Sequence, residues 1–568
     1  MAGRAGHATD PPKASADLVC QQRAAGGFGH TRATGRCAVK QALYSAQYQL
    51  ATLPVCAEMR PPVTAWLEIL RRAMPQRLQS RALIGSLVFA VLWLGLLGAS
   101  SLTPPIDNIE QLTWVRSLEW GYYKHPPLPT WLLWPVVQLL GLRPLATYLL
   151  GATVTLGAIG LAAHLLLLMR GPRFAATALL AMLCITFYNG RLYYYNHNTV
   201  LFLFVVGSAW ATWQAFSRRS LGWWAVVGLM LGLGGLSKYQ IVVAAASVAV
   251  LWVQQRAWRE PVHLAGAALA TAVALLILLP HAVWLVQSDF APIHYAMNSS
   301  LGARIAQPQR LGLVSNWLVD LLFNRLLPAW LLLLFALAGR RPATGVRPER
   351  RPEAPPQDHQ LEHQRLSRAL LLSFGGVPLA SLAAMGLLGG VQLQLQWGTA
   401  FAALMVPAVM ELLACSGLVF SQRVLWRAAK AFVVLQLLLL GLNALTSSLG
   451  PERWQSAHWC RFNSADLAQA IAEPARLSAG SPIRIIEGPA NYAGALALQM
   501  AERPKVLIDG KSDISPWVPK DSLLRCTRLQ LDRSGGPRDA SWQAAGPKFP
   551  DIHWRVLKPS NSDPACNA

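Results

Sequence analysis

Charged side chains are scarce. Asp, Glu, Lys and Arg make up 14% of the 568 residues, too few to clothe a soluble protein of this length. Acids are scarcer still, 27 against 50 Lys plus Arg, for a net charge of +23. Such an excess can serve nucleic-acid binding, but no zinc-finger or RNA-binding signature accompanies it. The eight cysteines form no CxxC pair, which excludes the usual zinc and dithiol motifs. Residues 1–75 lack an apolar core long enough for a signal peptide and show no sustained period. No internal repeat is evident, and the His and acid spacings match no metal-ligand motif.

What is abundant is apolar surface. Hydrophobic residues reach 53% and the mean hydropathy is +0.33, which describes a polytopic membrane protein. A bilayer core of about 30 Å needs roughly 20 helical residues. Apolar runs fall at about 82–102, 144–169, 173–188, 199–216, 222–236, 240–254, 263–286, 314–338, 368–388, 397–418 and 425–446. Arginines alternate with them: Arg71, Arg72, Arg77 and Arg81 precede the first, and Arg170 and Arg173, Arg218 and Arg219, Arg256 and Arg259, Arg340 to Arg351, then Arg423 and Arg427 recur in every second loop. The positive-inside rule turns that alternation into about 11 transmembrane helices with a cytoplasmic amino terminus. The short pair around Lys238 is also consistent with one re-entrant unit. The Trp- and Pro-rich stretch 128–142 is expected to lie in the interface, because a crossing there would invert all later loops.

Three regions follow: a disordered extension over 1–75, with Met59 and Met74 as alternative starts, an all-α transmembrane region over 76–447, and a small α/β domain over 448–568 on the periplasmic side. Within the last, a helix is expected near Ser464, strands at Ile483–Ile486 and Lys505–Ile508, and a helix around Asn491–Ala501. This tail has neither GxGxxG nor GxxxxGK, so nucleotide binding there is not expected. Its Cys460, Cys526 and Cys566 allow one disulfide and leave one thiol over. The Pro/Arg-rich segment 339–366 reads as a flexible linker.

The loop after the first apolar run gathers the polar chemistry. Asp107 and Glu110 stand one helical turn apart and are followed by Trp120-Gly121-Tyr122-Tyr123-Lys124-His125-Pro126-Pro127. A solvated loop is the plain alternative, but a base, cations and sugar-stacking rings in one loop also suit a reaction at a sugar. An acid followed by W-G-Y-Y-x-H-P-P-L-x-x-W-L resembles the family 39 type membrane glycosyltransferases, which are related to dolichyl-phosphate-mannose protein mannosyltransferases and aminoarabinose transferases. Further echoes occur in order: Arg191-Leu192-Tyr193-Tyr194-Tyr195-Asn196-His197-Asn198, Gly235-Leu236-Ser237-Lys238-Tyr239, Pro280-His281-Ala282-Val283-Trp284, Asp289-Phe290-Ala291-Pro292 and Gln396-Trp397-Gly398.

The resemblance implies a GT-C-like helical fold with an exoplasmic catalytic cavity, and an inverting transfer from a polyprenyl-phosphate sugar to a lipid, glycan or protein acceptor. Asp107 falls on the first acid of the family's Asp-Glu pair and is the expected general base. Asn108 replaces the second acid, and Glu110 is the alternative base or an acceptor ligand. A general base is worth about 10²–10⁴ in rate, and cations stabilise charge growing on the departing phosphate. Lys124, His125, Arg191 and Lys238 are the expected donor-phosphate ligands. Tyr122, Tyr123, Tyr194, His197 and Trp397 are the expected sugar or acceptor contacts, with interfacial aromatic anchoring as the alternative. His281 reads as a packing residue. No metal ligand is assigned, and a divalent ion between Asp107 and phosphate stays compatible. A transporter or flippase of lipid-linked sugars, or a non-catalytic membrane scaffold, are the competing classes.

Overall fold

A computed structural model describes residues 76–338, 358–456, 458–533 and 539–559. The expected extension over 1–75 lies outside the described residues. The elements in chain order are α1 (Gln76–Ser100), α2 (Ile106–Trp114), α3 (Leu128–Leu140), α4 (Pro144–Arg170), α5 (Pro172–Leu183), α6 (His197–Arg218), α7 (Leu221–Ser237), α8 (Val242–Gln254), α9 (Pro261–Gln287), α10 (Ala291–Ala296), α11 (Gln307–Val319), α12 (Leu327–Leu337), α13 (Asp358–Leu387), α14 (Ala402–Cys415) and α15 (Gln422–Thr446). The remainder is α16 (Ser464–Ala479), β1 (Ile485–Gly488), α17 (Ala490–Gln499), β2 (Lys505–Ile508), α18 (Lys520–Arg525), β3 (Arg528–Asp532), β4 (Gln543–Ala544) and β5 (His553–Leu557).

Each apolar run carries a helix, although the run 173–188 is helical only to Leu183. Among the described residues five helices, α4, α6, α9, α13 and α15, are long and apolar enough to cross a membrane, and α11 with α12 add a sixth if the pair is one span bent by 54°. The bend falls where a π-helical turn, Asp320–Arg325, interrupts the expected run 314–338. Prolines begin α4, α5 and α9, where the absent N–H costs nothing. The run expected at 397–418 starts its α-helix only at Ala402, because Leu395–Gly398 forms a 3₁₀ turn that carries Trp397. Of the expected linker 339–366, residues 339–357 lie outside the described residues, and α13 begins at Asp358; Leu361, Glu362, Gln364 and Arg365 are good helix formers. Helix α3 has 13 residues, about 20 Å, short of a bilayer core.

Helices α7 and α9 approach closely. Cβ atoms added at Gly232 and Gly235 would meet Ile277 Cβ at 2.9 Å and Leu278 Cδ2 at 2.8 Å, the small-residue packing common in membrane helices.

The tail forms a five-stranded sheet of order β2-β1-β3-β5-β4, with β1 parallel to β2 and β3 and β5 antiparallel to β3 and β4. Strand β1 starts two residues after Ile483, and β3 to β5 were not anticipated, since their short alternating segments are interrupted by Arg and Asp. Cys526 is disulfide-bonded, with its partner outside the described residues, whereas Cys460 is a buried free thiol.

The tail is joined to the first loop. Trp114 and Tyr122 are buried in one cluster with Ile486, Leu496 and Leu507. Helix α17 packs on α2, where Ile109 occupies the space of a Gly494 side chain, and Arg116 Nη2 donates to the Arg503 carbonyl at 2.7 Å. Gly494→Ala therefore forces the sheet unit off α2. We expect a loss of about 1–3 kcal/mol, measured as a lowered thermal unfolding midpoint of the detergent-solubilised protein.

Candidate active site

Helix α2 begins after Pro104-Pro105 and turns Asp107 and Glu110 to the same side, one turn apart. They line a cavity of about 500 Å³ with Lys124, His125, His197, Lys238 and Trp397. Seven of the side chains expected at a site are thus brought together from four separate parts of the chain. Apolar side chains also line it, among them Val242, Val243, Pro292, Leu382 and Met385.

Asparagines place the charged groups. Asn196 Oδ1 caps α6 by accepting from Thr199 N at 2.9 Å, and its Nδ2 donates to Asp107 Oδ2 at 2.8 Å. Two residues on, Asn198 Oδ1 accepts from Lys238 Nζ at 2.6 Å. Lys238 itself breaks the chain between α7 and the turn Tyr239–Ile241, with an extended backbone at φ −163 and ψ 137. Glu110 takes Lys124 in an ion pair at 3.0 Å.

Electrostatics separate the cations. Burial acts to strip the Lys124 proton, but the Glu110 carboxylate and then Asp107 outweigh it and hold the ammonium above its ordinary range. Burial instead pulls Lys238 down to about 8, against the pull of Asp107. His125 is pushed well below its usual value by burial first, then by His197 and the two lysines. The protein's own groups thus disfavour the imidazolium that the motif leads one to expect.

The other expected residues sit differently. Tyr122 is 2% exposed, stacks on Trp114 with centroids 4.7 Å apart and donates to the Ser117 carbonyl; it does not line the cavity. Tyr123 stands edge-on to Tyr295 at 5.7 Å. Arg191 and Tyr194 line an adjoining cleft that shares Asn196, Asn198 and Gln396 with the main cavity, and the Arg191 guanidinium lies 5.3 Å over the Tyr194 ring. Among the described residues no group of three or more His, Cys, Asp or Glu is placed to hold a metal ion.

Several residues escaped the sequence reading. Tyr295 and Ser299 reach the cavity because Asp289 and Phe290 both take left-handed backbone, φ 49 and 52, turning the chain into α10. His281 is a tie as well as a packing residue. Its Nδ1 lies 2.6 Å from the Trp120 carbonyl, which can only accept, so Nε2 accepts from the Tyr239 hydroxyl at 2.9 Å. One imidazole thus connects the Lys124 loop to the Lys238 turn. The glycine of the motif is explained beside it, since the Trp284 ring fills the space of a Gly121 side chain.

Asn108, which departs from the Asp-Glu pair, is fully buried. Its Nδ2 donates to Thr147 Oγ1 and to the Tyr193 carbonyl, each at 2.9 Å, and its Oδ1 accepts from Tyr195 N at 2.9 Å. The amide is needed here, because a carboxylate oxygen would face the Tyr193 carbonyl with no proton to share. Asn108→Asp is expected to cost about 1–3 kcal/mol in stability, read by thermal unfolding, and to yield no gain in activity from the added acid.

The family described as Dolichyl-phosphate-mannose-protein mannosyltransferase matches residues 124–284. The lipid A galacturonosyltransferase RgtD of Rhizobium johnstonii is 25% identical over 221 residues, 37% of this chain and 44% of that protein. The lipopolysaccharide core galacturonosyltransferase RgtB of the same organism is 27% identical over 264 residues, 45% of this chain and 53% of that protein. The chain thus spans about half the length of these relatives. The crystal structure of ArnT from Cupriavidus metallidurans bound to undecaprenyl phosphate superposes with a TM-score of 0.53 at 17% identity, covering 85% of this chain and 99% of that one. Its apo form gives 0.51 at 16% identity, over 86% and 100%. The chain has the GT-C fold of the ArnT structures, and the resemblance to family 39 type membrane glycosyltransferases carried by its Trp120–Pro127 motif holds across sequence and fold.

Proposed function

We propose that this protein is a multi-pass inner-membrane glycosyltransferase that moves a sugar from a polyprenyl-phosphate donor to an acceptor on the periplasmic side. The observation that carries the reading is the gathering, in one cavity, of the Asp107 carboxylate and the Lys124 and Lys238 ammonium groups with apolar side chains such as Val242, Leu382 and Met385. A lipid phosphate needs both halves, cations for its head and hydrocarbon for its chain. The names of the relatives, lipid A and lipopolysaccharide core galacturonosyltransferases, favour a lipid A or core-type glycolipid acceptor. Undecaprenyl phosphate, bound by the ArnT structure, is the favoured carrier.

In this reading residues 76–447 form the transferase region, crossing about eleven times, the count that the arginine alternation supports, and 448–568 form a periplasmic unit that braces α2. The acceptor hydroxyl oxygen bonds the anomeric carbon as the bond from that carbon to the phosphate oxygen breaks. The hydroxyl proton passes to Asp107, and the electron pair leaves on the phosphate. A single displacement of this kind inverts the anomeric centre. Asn196 leaves one Asp107 oxygen for that proton. Glu110, already paired with Lys124, holds the cation in place. Lys238 and Lys124 balance the phosphate charge, with Arg191 in the adjoining cleft as a further anion ligand. His125 serves as a hydrogen-bond donor, and Trp397 and Tyr295 supply aromatic surface beside the sugar.

Asp107→Asn is expected to lower transfer by about 10²–10⁴ while membrane insertion and thermal stability stay normal. The readout is mass spectrometry of envelope glycolipids from a deletion strain carrying the variant; retained transfer would refute the assignment. Because Lys238 loses its proton above about 8, kcat/KM for the donor should fall as pH rises past that value. In Lys238→Met that alkaline limb should disappear, with binding of undecaprenyl phosphate weakened about ten- to hundredfold, as loss of a charge-assisted hydrogen bond requires.

A further inference from the structure

A second cavity, of about 850 Å³, lies in the tail and takes no part in the chemistry proposed above. Strand β1 leads through α17 to β2 on one side, whereas β3, on the other side of β1, leads away to β4 and β5. The loops that leave β1 and β3 therefore turn in opposite directions. In open α/β sheets ligands bind at such a reversal, in the crevice outside the carboxyl ends of the parallel strands. The cavity lies there. Glu487 and Gly488 end β1, Asp509 follows β2, and Leu531 and Asp532 end β3, and all five line it.

The lining limits the occupant. Among the described residues Arg533 is the one lysine or arginine in this wall, and its guanidinium is laid over the Tyr492 ring at 4.9 Å. Four carboxylates stand against it, so a phosphate or a nucleotide is repelled. They do not make a cation site either, because most are already engaged. Glu487 accepts from Arg528 Nη1 and Gln530 Nε2, each at 2.8 Å, Asp551 faces Arg533 at 3.9 Å, and Asp532 has a partner as well. Left over are the Asp509 carboxylate and the Asn491 amide, whose side chains no hydrogen bond or ion pair engages among the described residues. Beside them α17 starts with no side-chain cap, so its first-turn N–H groups add donors. Acceptors and donors side by side, with little free charge, suit an uncharged molecule rich in hydroxyl groups, each of which both gives and accepts.

The crevice also adjoins the catalytic side of the molecule. Tyr123 packs against the core of the tail and stands edge-on to Tyr295, which lines the catalytic cavity. Burial first, then Glu110, with smaller contributions from Tyr295 and, from the tail, Asp509, holds the Tyr123 phenol protonated against the pull of Lys124. Asp509 is thus close enough for its charge to act on that ring. We propose that the crevice between β1 and β3 is a carbohydrate-binding subsite, which holds neutral sugar residues of the acceptor while the reacting hydroxyl enters the catalytic cavity. The proposal rests on the glycosyltransferase reading and narrows it: the preferred acceptor carries an oligosaccharide beyond the sugar that is modified.

Asn491→Ala combined with Asp509→Gly removes the two uncommitted side chains. Alanine suits α17, and glycine accepts the left-handed backbone of position 509, φ 48. The probe is the oligosaccharide released by mild acid from lipopolysaccharide of a strain lacking the gene. Its binding to the full-length protein in nanodiscs is followed by ligand-observed NMR, beside undecaprenyl phosphate binding and the rate of transfer as lipopolysaccharide concentration is varied. The wild type is expected to bind the oligosaccharide, and the double variant to bind it about ten- to hundredfold more weakly, as the loss of two hydrogen bonds gives. KM for the acceptor rises by a like factor, and undecaprenyl phosphate binding stays within about twofold. Asp107→Asn is expected to keep the oligosaccharide and lose transfer. An oligosaccharide that fails to bind the wild type, or binds the double variant equally well, overturns the proposal, and so does an unchanged KM. Should the double variant fail to fold, Asn491→Ala alone decides, at about three- to tenfold. If the wild type transfers no sugar to any envelope glycolipid, the transferase reading falls first; if it transfers normally and the double variant matches it, this proposal alone falls.

Discussion

The hydrogen bond from Asn196 to Asp107 is the joint on which the site depends. It links the short helix that carries both acids to the start of α6, and the same amide closes the first turn of that helix through Thr199. Without it a carboxylate at the mouth of an apolar bundle would have no fixed orientation. The neighbouring Asn198 repeats the device with opposite polarity, taking Lys238. An acid and a cation are thereby positioned by one three-residue turn, and each retains capacity for a ligand because an amide satisfies it only in part.

Around this joint the structure spends its buried polar groups in a consistent way. Glu110 is committed to Lys124, Asn108 to the backbone of Tyr193 and Tyr195, and His281 to the two loops that bear lysines. The aromatic residues divide the same way. Trp114 and Tyr122 anchor the loop into the core of the tail sheet, whereas Trp397 and Tyr295 face the cavity. The tail thus braces α2, and the placement of the acids on that helix is tied to an α/β unit far along the chain.

The family motif takes on physical meaning at this level. Gly121 yields to the Trp284 ring, and Asp289-Phe290 forms a left-handed turn that brings Tyr295 over Lys124 at 5.4 Å. Asn108 fills the place of the second acid because its surroundings there supply one donor and require two.

The sequence alone determined the helical runs, since hydrophobic period and proline punctuation are local and strong, and it singled out the polar loop because acids are rare in this chain. It located Asp107, Glu110, Lys124, His197, Lys238 and Trp397 as candidates through spacing and motif. It did not reveal that Tyr122 packs against the tail, that burial disfavours the His125 imidazolium, or that Gln240 and Tyr295 line the cavity. Those outcomes depend on which groups meet across stretches far apart in the chain. Partner and burial are properties of the packed structure, and they decide whether a polar side chain is spent on the protein or left for a ligand.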